Sequence, residues 1–149
     1  MNRKKTVLIA FMMLSAFAKV FAQDFSLYQK KVHISGNDTL PYRLLLPENF
    51  DPGKSYPLVF FMHGAGERGN NNEAQLTHGG KLFIREDIRK DYPAIVVFPQ
   101  CPRTSYWSNV NIQLDTAGKR VFVFKSGGEP SLAMKMAQEL LYHTLRNIK

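Results

Sequence analysis

The feature that most constrains the fold is an apolar run, Leu58 to Met62, that ends abruptly in a glycine-rich segment, His63 to Gly69. A continuous run of strand-forming residues has no polar face and is typical of a strand covered on both sides in a parallel sheet. Glycines just past such a strand let the main chain approach a ligand and direct N–H groups at it. The stretch therefore predicts an α/β protein with a main-chain binding turn. A tight turn without chemistry is the alternative.

The segments around this strand predict a β-hairpin followed by a βαβ unit. Turn-forming residues at 35–38 separate two segments with alternating apolar residues, 25–34 and 39–46, as in an antiparallel hairpin. A second continuous apolar strand, 94–98, follows a segment at 84–91 that has a helical pattern. A separation of about 30 residues with a helix between favours parallel pairing of the two apolar strands.

The C-terminal part predicts one long helix after an irregular stretch. Residues 103–129 are predicted to be irregular, with one short strand at 121–124, and Trp107 lies where pocket walls often form. Trp107 is equally consistent with a packing anchor under the loop. The helix is predicted over 130–149, with Pro130 in its first turn. Its apolar face follows a three- and four-residue spacing: Ala133, Met136, Ala137, Leu140, Leu141, Leu145 and Ile148.

Residues 1–22 have the pattern of a secretory signal peptide. Arg3, Lys4 and Lys5 precede an apolar run at 6–18, and small residues lead to a cleavage point after Ala22. The run is too short for a helix that spans a bilayer, which needs roughly 20 apolar residues. The pattern predicts export to the periplasm or the extracellular space, without a stable membrane anchor and with residues 23–149 as one domain.

Charge and cysteine content exclude several classes of function. Four of the 20 basic residues lie in the first 22 residues, which leaves 16 against 12 acidic residues, a net charge of +4. These charges are mixed along the chain, so a nucleic-acid partner is not expected. Cys101 is the only cysteine and is predicted to be a small buried residue, with a disulfide partner outside this sequence as the alternative. No cluster of residues has the spacing of metal ligands, so no metal is expected.

The order of these elements resembles the first half of an α/β-hydrolase. The resemblance depends on two motifs that end the apolar strands, His63-Gly64-Ala65-Gly66-Glu67-Arg68-Gly69 and Phe98-Pro99-Gln100-Cys101-Pro102. It is strongest to exported esterases of the polyhydroxybutyrate depolymerase, feruloyl esterase and dienelactone hydrolase group. The resemblance implies that residues 23–149 form the N-terminal portion of such a domain. It also implies a small-molecule or polymeric ester as substrate, and no cofactor.

The resemblance assigns roles to the glycine-rich segment. It implies that the main-chain N–H of Ala65 is an oxyanion donor, with Gly64 and Gly66 shaping the turn. His63 would hold this loop rather than act in acid–base chemistry, and Trp107 would line the substrate cleft. A main-chain donor at a strand's carboxyl end suits this chemistry, because it is rigid and aimed at the oxygen of the tetrahedral intermediate.

The chain departs from the family at the nucleophile. No G-x-S-x-G elbow occurs, and no serine lies in that context (Ser15, Ser26, Ser35, Ser55, Ser105, Ser108, Ser126 and Ser131). The elbow, the acid and the histidine are expected beyond Lys149, so the fold is predicted to be truncated before the elbow and the isolated chain to be inactive. His33, His78 and His143 are predicted to lie on the surface or in loops. A prolyl-oligopeptidase-like peptidase, or a non-catalytic exported binding or decayed protein, remains as an alternative.

Overall fold

A four-stranded mixed sheet forms the centre of the computed structural model, which describes residues 24–148. The predicted signal peptide lies outside the described residues. The strands lie in the order β1-β2-β4-β3, with bounds β1 (Gln29–Ser35), β2 (Asp38–Leu45), β3 (Leu58–Phe60) and β4 (Ile95–Pro99). The first pair is the predicted antiparallel hairpin, in which Ser35 lies opposite Asp38. Strand β4 joins β2 antiparallel and β3 parallel, which confirms the predicted parallel pair.

Strand β3 differs from its prediction. It is shorter than the apolar run, although the Phe61 N–H still donates to the carbonyl of Val97 at 2.8 Å. It is also an edge strand within the described residues, because only β4 pairs with it there. Its three side chains are therefore half-buried. Leu58 and Phe60 nevertheless pack against one buried cluster and Val59 against another, so β3 has apolar packing on both faces, as predicted.

Short helical segments connect β3 to β4 and cover one face of the sheet. Two 3₁₀ turns, Ala65–Glu67 and Ala74–Leu76, precede helix α1 (Gly80–Phe83) and helix α2 (Glu86–Asp91). Their apolar side chains pack over a buried cluster on this face: Tyr28, Leu45, Leu76, Val96 and Phe98. Because the alternate residues of each strand point to the other side of the sheet, a second cluster forms there.

Helix α3 (Leu132–Asn147) covers the opposite face. Its buried residues Met136, Ala137 and Leu140 pack on side chains of β2 and β4: Leu40, Tyr42, Leu44, Ile95 and Val97. The helix starts after Pro130, because Ser131 is the N-cap and accepts a hydrogen bond from the Met134 N–H at 3.2 Å. Leu145, predicted on the buried face, is 54% exposed.

A second hairpin follows β4 and was not predicted as such. Strand β5 (Val110–Leu114) pairs antiparallel with strand β6 (Arg120–Phe124) in a separate two-stranded sheet. The strand at 121–124 is thus confirmed, but the prediction of an irregular segment at 103–129 is wrong. A turn closes this hairpin, where the Asp115 carboxylate accepts hydrogen bonds from the N–H groups of Ala117 and Lys119. No helix among residues 24–148 is both long and apolar enough to cross a membrane.

Candidate functional site

The candidate site is the exposed turn that begins where β3 ends. Gly64 is extended, with φ −79° and ψ −179°, and leads into the 3₁₀ turn of Ala65–Glu67. The first N–H groups of a helical turn have no partner within it. Among the described residues, no hydrogen bond from a loop or turn has the Ala65 or Gly66 N–H as its donor. The turn therefore offers main-chain donors to a ligand at the carboxyl edge of the sheet.

The two glycines of the turn keep its surface open. Neither Gly64 nor Gly66 has a positive φ angle, so the turn does not need glycine for backbone conformation. A Cβ on Gly66 would meet nothing within 4 Å, whereas a Cβ on Gly64 would lie 3.2 Å from the carboxylate Oε2 of Glu67. Glycine at position 64 thus allows the Glu67 carboxylate to approach closely, and glycine at position 66 leaves open space beside the turn.

His63 is buried directly beneath the turn. Its Nε2 accepts a hydrogen bond from the Cys101 N–H at 3.0 Å, and its Nδ1 lies 2.6 Å from the carbonyl of Gly64. These partners define the neutral tautomer with the proton on Nδ1, which donates to the carbonyl. Burial lowers the pKa of His63, which favours the neutral ring. His63 therefore connects the ends of β3 and β4, in agreement with the loop-holding role expected for it.

Trp107 is an anchor for the same loop. Its indole N–H donates to the main-chain carbonyl of His63 at 3.0 Å, and its ring packs edge-on against the imidazole, with centroids 5.3 Å apart. The ring also packs against the buried cluster under helix α3. These contacts fit a packing anchor, and the predicted role of Trp107 in a substrate cleft stays a prediction.

Gln100, fully buried just past β4, organises the rest of the loop. Its Nε2 donates to the carbonyl of Glu67 at 3.1 Å and to the Asn71 side chain at 2.8 Å. Its Oε1 accepts from the Asn72 N–H at 2.7 Å. A Cβ on Gly69 would lie only 3.3 Å from this amide, so glycine allows the close approach. The amide thereby fixes the chain from the turn to the loop tip.

Arg43 supports the far end of the loop. Its guanidinium donates to the carbonyl of Asn72 at 2.6 Å and to the carbonyl of Tyr28 at 2.8 Å, and it pairs with the Glu73 carboxylate. This side chain is almost fully buried on β2. A buried cation with both main-chain and carboxylate partners avoids the cost of an unpaired charge.

Arg68 connects the turn to the segment after β4. Its guanidinium donates to the carbonyls of Ala65, Arg103 and Ser105, and it lies over the Tyr106 ring, 3.8 Å from the centroid. The turn, the Trp107 loop and the base of the second hairpin are thus joined at one edge of the sheet.

Cys101 and the remaining histidines lie outside the turn's exposed surface. Cys101 is buried, and this burial raises the pKa of its thiol to about 11, so the thiol is protonated at neutral pH. The side chain of His78 is 76% exposed near Glu67, and His143 lies on the exposed side of helix α3. His33 differs from its prediction, because its side chain is largely buried on β1 beside Glu139 and the ring of His143.

Sequence reasoning missed the supporting residues Gln100, Arg43 and Arg68. A polar residue directly after a fully apolar strand, as Gln100 is after β4, signals a group near a site at the carboxyl edge. The sequence around Arg43 indicates its role less clearly, because charged residues of a strand with alternating apolar residues normally face the solvent and are not buried. Arg68 contacts residues some 35 positions further along the chain, so no local sequence pattern indicated its supporting role.

Comparison with known proteins gives one informative similarity. No protein-family model matches the sequence, and no curated protein matches it. The crystal structure of a thermostable esterase matches with a TM-score of 0.66 and 27% sequence identity. The match covers 84% of this chain but only 32% of that esterase, so the chain corresponds to about a third of its length. This chain thus has an α/β fold similar to part of a thermostable esterase.

Proposed function

We propose that this chain is the N-terminal part of a secreted serine hydrolase that cleaves carboxylic esters, with the Ala65 N–H as an oxyanion donor. The observation that carries the proposal is the exposed turn at the carboxyl end of β3, whose first N–H groups have no partner in the turn. The similarity to a thermostable esterase supports the reaction class. The signal-peptide pattern of residues 1–22 supports secretion.

The turn suits the chemistry because its donors are preorganised. Attack on an ester carbonyl places negative charge on the oxygen, and fixed main-chain donors stabilise that charge without reorganising. Here the buried His63 and Gln100 hold the turn from beneath by bonds to main-chain groups. In the proposed enzyme, the serine nucleophile, its histidine and its acid belong to a segment that continues beyond Lys149.

Trp107 has a narrower role in this proposal than the sequence alone implied. Its indole N–H already donates a hydrogen bond to the main-chain carbonyl of His63. Only the half-buried ring is therefore available to a substrate. We propose that this ring lines the acyl or alcohol side of the cleft while it anchors the loop. The isolated chain would bind an ester weakly and would not turn it over.

A proline at position 65 tests the oxyanion assignment, because it removes one N–H with little change to the backbone. Ala65 is the first residue of its turn, where proline is tolerated, and the extended Gly64 suits a residue before proline. In a longer product of the reading frame, Ala65→Pro is expected to lower kcat for a nitrophenyl ester by about 10²–10³-fold. KM is expected to change much less.

Ala65→Ser is the matched control, because it adds a small side chain but keeps the N–H. Its kcat is expected to stay near that of the unmodified enzyme. Equal losses in both variants would mean that bulk at position 65, not the donor, limits the reaction. Ester turnover above buffer by the isolated chain would contradict the placement of the nucleophile beyond Lys149.

A further inference from the structure

An apolar cavity of about 490 Å³ lies between helix α2 and the sheet. Pro57 and Pro93, which line it, stand just before β3 and β4, so the cavity lies at the amino ends of these parallel strands. The Ala65 turn begins at the carboxyl end of β3, and the cavity is therefore separate from the candidate site. Its walls consist mostly of hydrophobic side chains from the sheet and from the segments between β3 and β4: Leu45, Val59, Phe83, Ile88, Ala94 and Val96.

Arg89 brings a cation to these apolar walls. The residue is half-buried on helix α2, and its Nε is shielded from solvent without a hydrogen-bond partner. No carboxylate among residues 24–148 forms an ion pair with Arg89. Asp91 also lines the cavity, but it is exposed and is one of the groups that do not pair with Arg89. Because a shielded donor without an acceptor costs free energy, the cavity favours a ligand that supplies an acceptor for Arg89.

A polar cleft shares Arg89 with the apolar cavity. The other charged residues of the two linings are Lys54 and Lys90, against Glu48 and Asp91. These four charges balance, so the cation of Arg89 is the excess charge of the combined lining. A chain that fills the cavity would therefore place its polar end beside this guanidinium, where the apolar walls meet the cleft.

We propose that the cavity binds an aliphatic carboxylate, with the chain against the apolar walls and the carboxylate on the Arg89 guanidinium. The guanidinium matches a carboxylate in shape and charge, and charge-assisted hydrogen bonds are about twice as strong as neutral ones. The cavity volume is also typical of small-molecule sites, which enclose about 300–1,000 Å³. A further segment of a longer protein fits less well, because apolar cover alone would leave the Arg89 donor without an acceptor. Such binding does not require ester hydrolysis.

Calorimetric titration of the full chain with octanoate, and with octan-1-ol as the uncharged match, tests this proposal. The two molecules have chains of the same length, so the apolar walls would contact them equally. Octanoate is expected to bind at a single site. Octan-1-ol is expected to bind roughly 10–100-fold more weakly, because it lacks the charge-assisted hydrogen bond to Arg89.

Substitution of Arg89 supplies a second, independent readout. Arg89→Gln should weaken octanoate binding by the same factor of roughly 10–100 and leave the affinity for octan-1-ol unchanged. Arg120→Gln is the matched control, because Arg120 lies in the second hairpin and outside both linings, so neither affinity should change. Amide chemical shifts would locate the ligand on the unmodified chain. Octanoate should move the signals of Ile88 and Ala94 and leave that of Ala65 in place.

Several results would overturn the carboxylate proposal. Equal affinities for octanoate and octan-1-ol would do so, as would the absence of octanoate binding or octanoate binding that Arg89→Gln leaves unchanged. Shifts at Ala65 in place of Ile88 and Ala94 would put the ligand at the candidate ester site instead. Loss of octanoate binding in a longer product of the reading frame would identify a later segment of the protein as the occupant of the cavity.

Discussion

At the scale of single residues, buried polar side chains hold an exposed turn in position. His63, Gln100 and Arg43 each bond to main-chain groups of the segment between β3 and helix α1, and each is buried. An unsatisfied buried donor or acceptor costs about 1–3 kcal/mol, so loss of any one of them would loosen the loop. The rigidity that the proposed oxyanion donor requires would thus depend on residues other than the donor itself.

The lowered pKa of His63 predicts a specific pH dependence of stability. The neutral ring is favoured in the folded chain, whereas the unfolded chain takes up a proton near pH 6.5. Between these two pKa values the unfolded state binds more protons, so the free energy of unfolding falls as pH drops below about 6.5. Urea unfolding at a series of pH values would measure this loss.

Two histidine variants separate the His63 contribution from that of the rest of the chain. His63→Gln removes the titrating ring and should make the free energy of unfolding less dependent on pH below about pH 6.5. The same variant is expected to lower stability at neutral pH. His78→Gln, which removes one histidine ring from an exposed position, is the matched control. An unchanged dependence in His63→Gln would contradict the predicted neutral, buried state of His63.

The resemblance to α/β-hydrolases implied the loop-holding role of His63, but neither it nor the sequence pattern predicted the supporting network. His63 stands between an apolar strand and glycines, which already marks a strand end. Gln100 and Arg43 act through atoms that meet only when β2, β3 and β4 come together. Helical periodicity likewise predicted Leu145 on the buried face, whereas the structure leaves this side chain 54% exposed.

At the scale of elements, one hydroxyl links helix α3 to the loop beside the turn. Ser131 caps the helix by accepting from the Met134 N–H, and its own hydroxyl donates to the Tyr106 carbonyl at 2.5 Å. The start of the helix is therefore coupled to the segment that also carries Arg68's contact with Tyr106. This double role explains why the helix begins at Leu132 and not at Pro130.

Loss of the Ser131 hydroxyl is expected to destabilise the chain. Ser131→Ala removes the cap and one partner of Tyr106, so the free energy of unfolding should fall by about 1–2 kcal/mol. Urea unfolding followed by far-ultraviolet circular dichroism would measure it. Ser131→Thr retains a capping hydroxyl, so its free energy of unfolding should fall much less. An equal fall in the two variants would contradict the capping role of Ser131.

The second hairpin shows the limit of reading elements from sequence. Val121 to Phe124 is a plain strand signal, and the alternation of Val110, Ile112 and Leu114 with two polar residues is a strand signal as well, although it was not recognised as the partner strand. Pairing is decided by the turn at Asp115, whose carboxylate bonds are visible only in the structure. The first hairpin has a stronger turn signal and alternating apolar residues on β2, and it was predicted correctly.

At the scale of the whole molecule, β3 is an edge strand of the sheet within residues 24–148. Pro57 and Phe61 bond to β4, so the alternate residues Leu58 and Phe60 direct their main-chain groups away from it. Such an edge is a template for another strand. In the proposed enzyme, a further parallel strand would pair here and carry the nucleophile elbow beside the turn of Ala65.

Sequencing the coding DNA through and past the codon for Lys149 tests the central claim most directly. We expect the frame to continue into an apolar strand followed by G-x-S-x-G, with an acid and a histidine further on. That result would place a nucleophile next to β3 and the Ala65 N–H. A stop codon at that point, or a continuation without the elbow, would contradict the proposed esterase.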